Sequence, residues 1–156
     1  MNRVLVAGGA GYIGSHVALQ LHESGHHVVV LDTLHKGFRE AVIGATLVVG
    51  NAGDQQTVSD VLRKHDIDTV MHFAALTVVP ESVTDPLRYY DNNTCNTASL
   101  LRSCVQAGVA NFVFSSTAAV YGSPEQQLVD ENCPTVPINP YGTSKLMSEL
   151  MLRDVA

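Results

Sequence analysis

Cysteine, basic residues and long apolar runs are all scarce in this chain, and each scarcity removes a class of protein. The three cysteines, Cys95, Cys104 and Cys133, are an odd number with no C-x-x-C pair. They supply neither a disulfide framework nor a zinc site, and they fit a reducing, cytoplasmic setting. Lys and Arg total 9 against 15 Asp and Glu, a net charge of −6. That balance argues against nucleic acid or an anionic membrane as the main partner. No apolar stretch approaches the roughly 20 residues of a membrane span. The N-terminal run breaks into glycine straight after Ala7, which is too soon for a signal peptide. Internal repeats and low-complexity segments are absent from the sequence.

What is present is a 156-residue chain, 46% apolar, long enough for the core of one domain of ordinary size. Short β-branched runs alternate with amphipathic stretches, the pattern of βαβ units around a parallel sheet. Strands are expected at Arg3–Ala7, His27–Leu31, Thr46–Val49, Thr69–Phe73 and Asn111–Ser115, each continuous in hydrophobicity as if covered on both faces. Helices are expected at Ile13–Glu23, Gln55–Lys64 capped by Asp54, Pro86–Gln106 and Tyr141–Val155, with Gly25 and Gly108 just past helix ends. The fold class is therefore α/β, a doubly wound parallel sheet of the Rossmann type, read as one dinucleotide-binding domain over 1–156. The stretch Tyr121–Pro140 holds four prolines and is long enough to be a functional loop. The last helix has no C-cap glycine, so the chain is expected to be cut short after it. Cys95 and Cys104 are expected as small core residues of the third helix, His72 as a packed histidine, and His16 with His22 on the exposed edge of the first helix.

Gly8-Gly9-Ala10-Gly11-Tyr12-Ile13-Gly14 lies between the first strand and the first helix. Glycine suits a backbone that must pass within contact distance of a pyrophosphate. The helix start at Tyr12 and Ile13 adds open N–H groups and a partial positive charge. By itself such a triplet also fits a tight turn. Its context sharpens it: the second strand ends in Asp32, placed to accept hydrogen bonds from the adenosine ribose and to repel a 2′-phosphate. NAD is thus expected over NADP, with Lys36 and Arg39 nearby as the opposing feature.

Tyr141-Gly142-Thr143-Ser144-Lys145 opens the last helix, and a spacing of four puts phenol and ammonium on one face. A free phenol titrates near 10, and a cation beside it favours the phenolate. Tyr141 then serves as proton acceptor from a substrate hydroxyl. Ser115-Ser116-Thr117 follows the fifth strand, where parallel sheets place their ligands. Thr117 is the candidate to position the reacting oxygen, with Ser116 its rival and strand-end capping the plain alternative for Ser115 and Ser116.

These residues resemble the extended short-chain dehydrogenase/reductase family, and within it the nucleotide-sugar 4-epimerases. The resemblance rests on Gly8 to Gly14, Asp32, His72-Phe73-Ala74-Ala75-Leu76, Glu81-Ser82-Val83, Pro86-Leu87-Arg88-Tyr89-Tyr90-Asp91-Asn92-Asn93, Ser115-Ser116-Thr117, and Tyr141 with Lys145. It implies a UDP-hexose substrate and an isomerase that oxidises C4, turns the 4-keto sugar and reduces it again, leaving NAD unchanged overall. It also implies that Gly8, Gly11, Tyr12, Ile13, Gly14, Asp32, Asn51, Ala52, Phe73, Ala74, Ala75, Asn93 and Ser115 line the cofactor. Tyr141 and Lys145 would join them, Lys145 on the nicotinamide ribose, and Thr117 would take the serine/threonine role beside Tyr141. A homodimer through helices 86–107 and 141–156 follows by the same resemblance, as does a substrate domain beyond position 156.

Three positions depart from the family pattern: Asn51-Ala52 where an adenine-reading aspartate is common, Thr77 in place of a lysine, and Ala7 in place of a threonine. A 4,6-dehydratase would need an Asp-Glu pair directly after Thr117, and Ala118 and Ala119 cannot transfer protons. Other nucleotide-sugar epimerases, decarboxylases, a cofactor-releasing reductase and a non-catalytic NAD-binding fragment are the alternatives.

Overall fold

The computed structural model describes residues 1–124 and 128–156. Positions 125–127 of the expected functional loop lie outside the described residues. The strands are β1 (Arg3–Ala7), β2 (His27–Asp32), β3 (Thr46–Val49), β4 (Thr69–His72) and β5 (Asn111–Phe114). The helices are α1 (Tyr12–Glu23), α2 (Gln55–Lys64), α3 (Val79–Thr84), α4 (Pro86–Tyr89), α5 (Asn96–Ala107) and α6 (Pro140–Val155). All pairings are parallel and the order is β3-β2-β1-β4-β5, so the winding reverses beside β1. The chain divides into two compact units, Met1–Ala75 with Ser99–Ser115, and Leu76–Ala98 with Ser116–Ala156.

The first unit holds the sheet. Because side chains alternate along a strand, β1 and β2 feed two cores. Leu5, Ala7, Val29 and Leu31 pack with Val58, Val61 and Leu62 of α2 and with Leu100 and Cys104 of α5. Val4, Val6, Val28 and Val30 pack with Ala18 and Leu21 of α1. Helices thus cover both faces, as a doubly wound sheet requires. Asp54 caps α2 as expected, accepting from the Gln56 amide at 3.0 Å and the Thr57 amide at 3.3 Å. Gly25 and Gly108 take the left-handed conformation after their helices.

Three expectations change. First, β3 and β5 are not covered on both faces: Val49 is 53% and Val113 45% exposed, because each strand forms an edge of the sheet. Second, the single helix expected over 86–106 is α4, a π-helical turn at Tyr90–Cys95 and then α5. Its widened turn carries side chains that bond outside the helix, among them Asn93 and Thr94. Third, Cys95 points away from the core and is exposed, while Cys104 is buried, its thiol pushed up to about 12 by that burial. Residues nine apart on an α-helix stand about half a turn apart, so with Cys104 packed inward Cys95 faces outward. His72 is buried and meets the rings of Phe112 and Phe114, and His16 and His22 are exposed, as expected.

The second unit is built from α3, α4, the π turn, the start of α5, a 3-10 turn at Ala118–Tyr121, and α6. The short α3 was not expected, since six residues carry too little periodicity to read. Among the described residues, no helix is long and apolar enough to cross a membrane.

Candidate functional site

In the first unit the expected cofactor residues gather at one edge, because parallel strands bring all their carboxyl ends to the same side. Gly8 follows β1, Asp32 ends β2, Asn51 and Ala52 follow β3, Phe73 to Ala75 follow β4 and Ser115 follows β5. The turn after β1 is braced from below. The Phe73 and Ala74 amides donate to the Ala7 carbonyl at 2.7 and 3.0 Å, and the Gly8 amide donates to the Leu31 carbonyl at 2.8 Å. Asp32 stabilises the same turn: its carboxylate accepts from the Ala10 amide at 3.0 Å and the Leu34 amide at 2.8 Å. Asn51 forms its own turn, its side-chain oxygen accepting from the Gly53 amide at 2.8 Å.

The glycines of the cradle have different physical reasons. A Cβ on Gly8 would sit against the backbone of Ala74, and Gly8 also adopts a positive φ of 81°. A Cβ on Gly14 would run into the Gly8 carbonyl. Both are demanded by packing. At Gly11 a Cβ would meet only the Gly8 carbonyl oxygen, at an ordinary 3.4 Å, and its backbone is extended. Nothing in the fold forbids a side chain there, so the space above Gly11 is the part of the cradle available to a ligand. Gly11 is also the N-cap of α1, which has no side-chain cap and no acid in its first turn. Tyr12 and Ile13 are 84% and 58% exposed beside that open helix end. An uncapped start with partial positive charge and room for close approach fits a pyrophosphate. The residues present therefore fit a dinucleotide.

In the second unit α6 starts at a strong cap. The Asn139 side chain accepts from the Gly142 amide at 2.8 Å, which sets the first turn of α6 and so the direction of Tyr141. Tyr141 and Lys145 lie on one face, one turn apart. The Lys145 side chain is buried at 3% exposure, and that burial lowers its ammonium to about 8, with the Glu149 carboxylate pulling the other way. Tyr89 is fully buried and meets the Tyr141 ring edge-on.

Asn93 is expected to touch the cofactor region, and its carboxamide is used throughout by the protein. Its oxygen accepts from the Leu76 amide at 2.8 Å and from the Asn92 side chain at 2.9 Å. Its nitrogen donates to the Leu76 carbonyl at 2.9 Å and to Ser144 Oγ at 3.1 Å. It thus ties the 76 segment to α6 between Tyr141 and Lys145. Thr94 Oγ1 and Ser148 Oγ extend the same network, donating to the carbonyls of Ser144 and Asn93. Thr117 precedes the 3-10 turn in extended backbone, its Oγ1 accepting from the Ala119 amide at 3.2 Å. The rival hydroxyl of Ser116 donates to Glu149. Sequence reasoning gave Tyr89 no role beyond its place in the family-like stretch, and it missed Glu149. The one available signal for Glu149 was its position one further turn along the Tyr141–Lys145 face.

The match to a model of the NAD dependent epimerase/dehydratase family runs over residues 4–156. The chain belongs to that family. It is similar to the UDP-glucose 4-epimerase of Azospirillum brasilense, 57% identical over 153 residues, covering 97% of this chain and 44% of that protein. Among solved structures it is similar to the UDP-glucose 4-epimerase of Brucella ovis in complex with NAD, with a TM-score of 0.96, 44% identity and coverage of 99% of this chain and 47% of that one. The UDP-Glc/GlcNAc 4-epimerase of Campylobacter jejuni superposes with a TM-score of 0.95 at 45% identity, covering 99% and 49%. This epimerase/dehydratase chain therefore spans less than half the length of these relatives.

Proposed function

We propose that the chain is the cofactor-holding and proton-transferring part of an NAD-dependent enzyme that interconverts UDP-glucose and UDP-galactose. The observation that carries this reading is the buried Lys145 one helical turn from Tyr141 on a helix of the epimerase/dehydratase family. Gly8, Gly11 and Gly14 with the amides of Tyr12 and Ile13 hold the pyrophosphate. Asp32 takes the adenosine ribose, Asn51 and Ala52 border the adenine, and Phe73, Ala74, Ala75 and Ser115 border the far half of the dinucleotide. Bound NAD supplies the acceptor, and afterwards the donor, of a hydride at C4. Tyr141 takes the 4-hydroxyl proton in the first half of the cycle and returns it in the second. Lys145 supplies the positive charge that favours the phenolate and binds ribose hydroxyls. Thr117 holds the reacting oxygen. Asn93 supports the reaction by fixing the Leu76 segment and Ser144.

The tyrosine rules out no other nucleotide sugar, and UDP-N-acetylhexosamine is the nearest alternative. Dehydration is disfavoured because Ala118 and Ala119 have no proton to transfer. A homodimer through 86–107 and 141–156 is part of the same reading, supported by apolar side chains left exposed there, Leu87 at 72%, Met147 at 42% and Leu150 at 41%. The test is made on the native protein carrying this chain: NAD released on denaturation, C4 exchange of UDP-galactose, and native mass. The expected result is about one NAD per chain, interconversion without net NADH, and a dimer. Bound NAD with no exchange on any UDP-hexose overturns the enzymatic reading in favour of a non-catalytic binding module.

A further inference from the structure

Glu149 lies one turn beyond Lys145 on α6 and so continues the face that begins at Tyr141. Its carboxylate oxygen Oε1 accepts the hydrogen bond of the Ser116 hydroxyl, across a sequence separation of 33. Ser116 is the residue before Thr117, whose extended backbone opens the 3-10 turn at Ala118–Tyr121. Both Ser116 and Glu149 are half-buried, where a charge-assisted hydrogen bond is stronger than on an open surface. The segment after β5 leans on α6 through a second contact, since a Cβ on Gly142 would collide with the Ala119 carbonyl at 2.6 Å. One carboxylate therefore bears on two parts of the proposed chemistry: it bonds the hydroxyl next to Thr117, and its charge acts on the ammonium of Lys145 one turn back.

We propose that Glu149 is a positioning residue, which anchors the Ser116-Thr117 segment to α6 and presents its negative charge to Lys145. The proposal rests on the functional reading above. Its two actions are separable in chemistry. The hydrogen bond fixes where Thr117 stands relative to the Tyr141 face. The charge offsets the burial of Lys145, which otherwise favours the neutral amine. Other ionisable groups on the elements packed against α6 are Glu81 of α3, Tyr89 and Arg88 of α4, Tyr90, Asp91 and Cys95 of the π turn and Tyr121 of the 3-10 turn. Of these, Tyr89 and Glu81 bond each other at 3.3 Å.

The experiment uses the full native protein with lysine labelled for NMR and three variants: Glu149→Gln, Glu149→Ala and Ser116→Ala. Lys145 is assigned by its loss in Lys145→Met. In Glu149→Gln the amide oxygen still accepts from Ser116 but the charge is gone. The expected result is a Lys145 titration lowered by roughly half a unit to one unit, with KM for UDP-hexose near that of wild type. In Ser116→Ala the charge stays, so Lys145 titrates within a few tenths of wild type, while kcat falls about tenfold from misplacement of Thr117. Glu149→Ala shows both effects. Thermal midpoints separate these outcomes from unfolding, and the glutamine variant, nearly isosteric, keeps the test alive should the alanine variant fail to fold. A Lys145 titration unchanged in Glu149→Gln together with full kcat in Ser116→Ala overturns the proposal. Absence of C4 exchange in the wild-type protein strikes the functional reading alone, because the Lys145 titration is read without turnover.

Discussion

The ring of Tyr89 meets the ring of Tyr141 edge-on, with centroids 6.5 Å apart and planes at 86°. Such contacts add roughly 0.5–1.5 kcal/mol beyond area burial, and this one is anchored. The Tyr89 hydroxyl donates to the Val78 carbonyl at 2.7 Å and accepts from the Val78 amide at 3.0 Å, with Glu81 Oε2 at 3.3 Å. A fixed buried ring thus backs the one proposed to take the proton. Burial pushes the Tyr89 phenol up, with the Val78 hydrogen bond opposing, so it stays protonated across the working range.

Replacing Tyr89 separates its two roles. Tyr89→Phe keeps the edge contact but removes the hydroxyl that bonds the Val78 amide and carbonyl, and stability falls by about 0.5–1.5 kcal/mol with kcat within about threefold of wild type. Tyr89→Leu also loses the aromatic wall, and kcat drops further while KM changes little. Urea unfolding and steady-state kinetics on the same samples read both. Equal kcat in the two variants would show that the ring does not hold Tyr141.

The glycines of the cradle make a sharper pair. Gly14→Ala forces a methyl into the Gly8 carbonyl and lowers the melting temperature by several degrees or prevents folding. Gly11→Ala is accommodated at 3.4 Å in an extended backbone and melts close to wild type. NAD retention, measured by release after gel filtration, falls about tenfold or more in Gly11→Ala because its methyl occupies the space for the pyrophosphate. Unchanged retention in that variant would move the phosphates away from Gly11.

Lys145 has a stability signature. Burial lowers its folded value to about 8 from an ordinary 10.5. Between those values the folded chain binds fewer protons than the unfolded one, so stability rises with pH across that window. Lys145→Met lacks this dependence. The stability advantage of the Met variant therefore shrinks by roughly 3 kcal/mol between pH 8 and 10.5, read by urea titrations at matched ionic strength. Parallel pH profiles for the two proteins would mean that Lys145 is not buried as an amine.

Asp54 is a cap whose carboxyl is held below the ordinary carboxylate range, first by the Thr57 hydroxyl and then by the Thr57 amide. Asp54→Ala lowers the melting temperature by about 2–4 °C at neutral pH. A depressed value in the fold means that the contribution is present above the ordinary range and fades as pH falls through it. Asp54→Asn, a neutral cap, removes the pH dependence and restores most of the stability. A calorimetric series from pH 3 to 7 distinguishes the three proteins.

How much of this was legible beforehand depends on the distance over which each residue acts. The continuous runs Val4–Ala7 and Val28–Leu31 announced central strands because both their faces are packed. Gly8 to Gly14, the Asp54 cap and the Tyr141–Lys145 spacing are local patterns, and local patterns survive in a sequence. The π turn left no such trace: the sequence ran one helix through Asn93 and gave that residue to the cofactor by resemblance, while its bonds to Leu76 and Ser144 showed only in the fold. Ser116 and Glu149 meet across 33 positions, and no spacing rule links a serine after a strand to a glutamate far along a later helix. Cys95 was misread for a simpler reason: nine residues from Cys104 put it on the opposite face of the helix, so both could not be core. The edges β3 and β5 carry runs as apolar as a central strand, so their exposure showed only once the strand order was known.

The alternation of β1 also bears on how the sequence is able to drift. Val4 and Val6 belong to one core and Leu5 and Ala7 to the other, so the strand is a partition wall between two rooms furnished separately. A change of volume at Leu5 is answerable within its own cluster, by residues such as Val58, Leu62 or Leu100, and not by Ala18 across the wall. Substitutions in the two rooms should combine almost additively, whereas those within one room depend on each other. Lineages of this chain are then free to refurnish the α1 side while the α2 side stands still, and only a slip of register would disturb both at once.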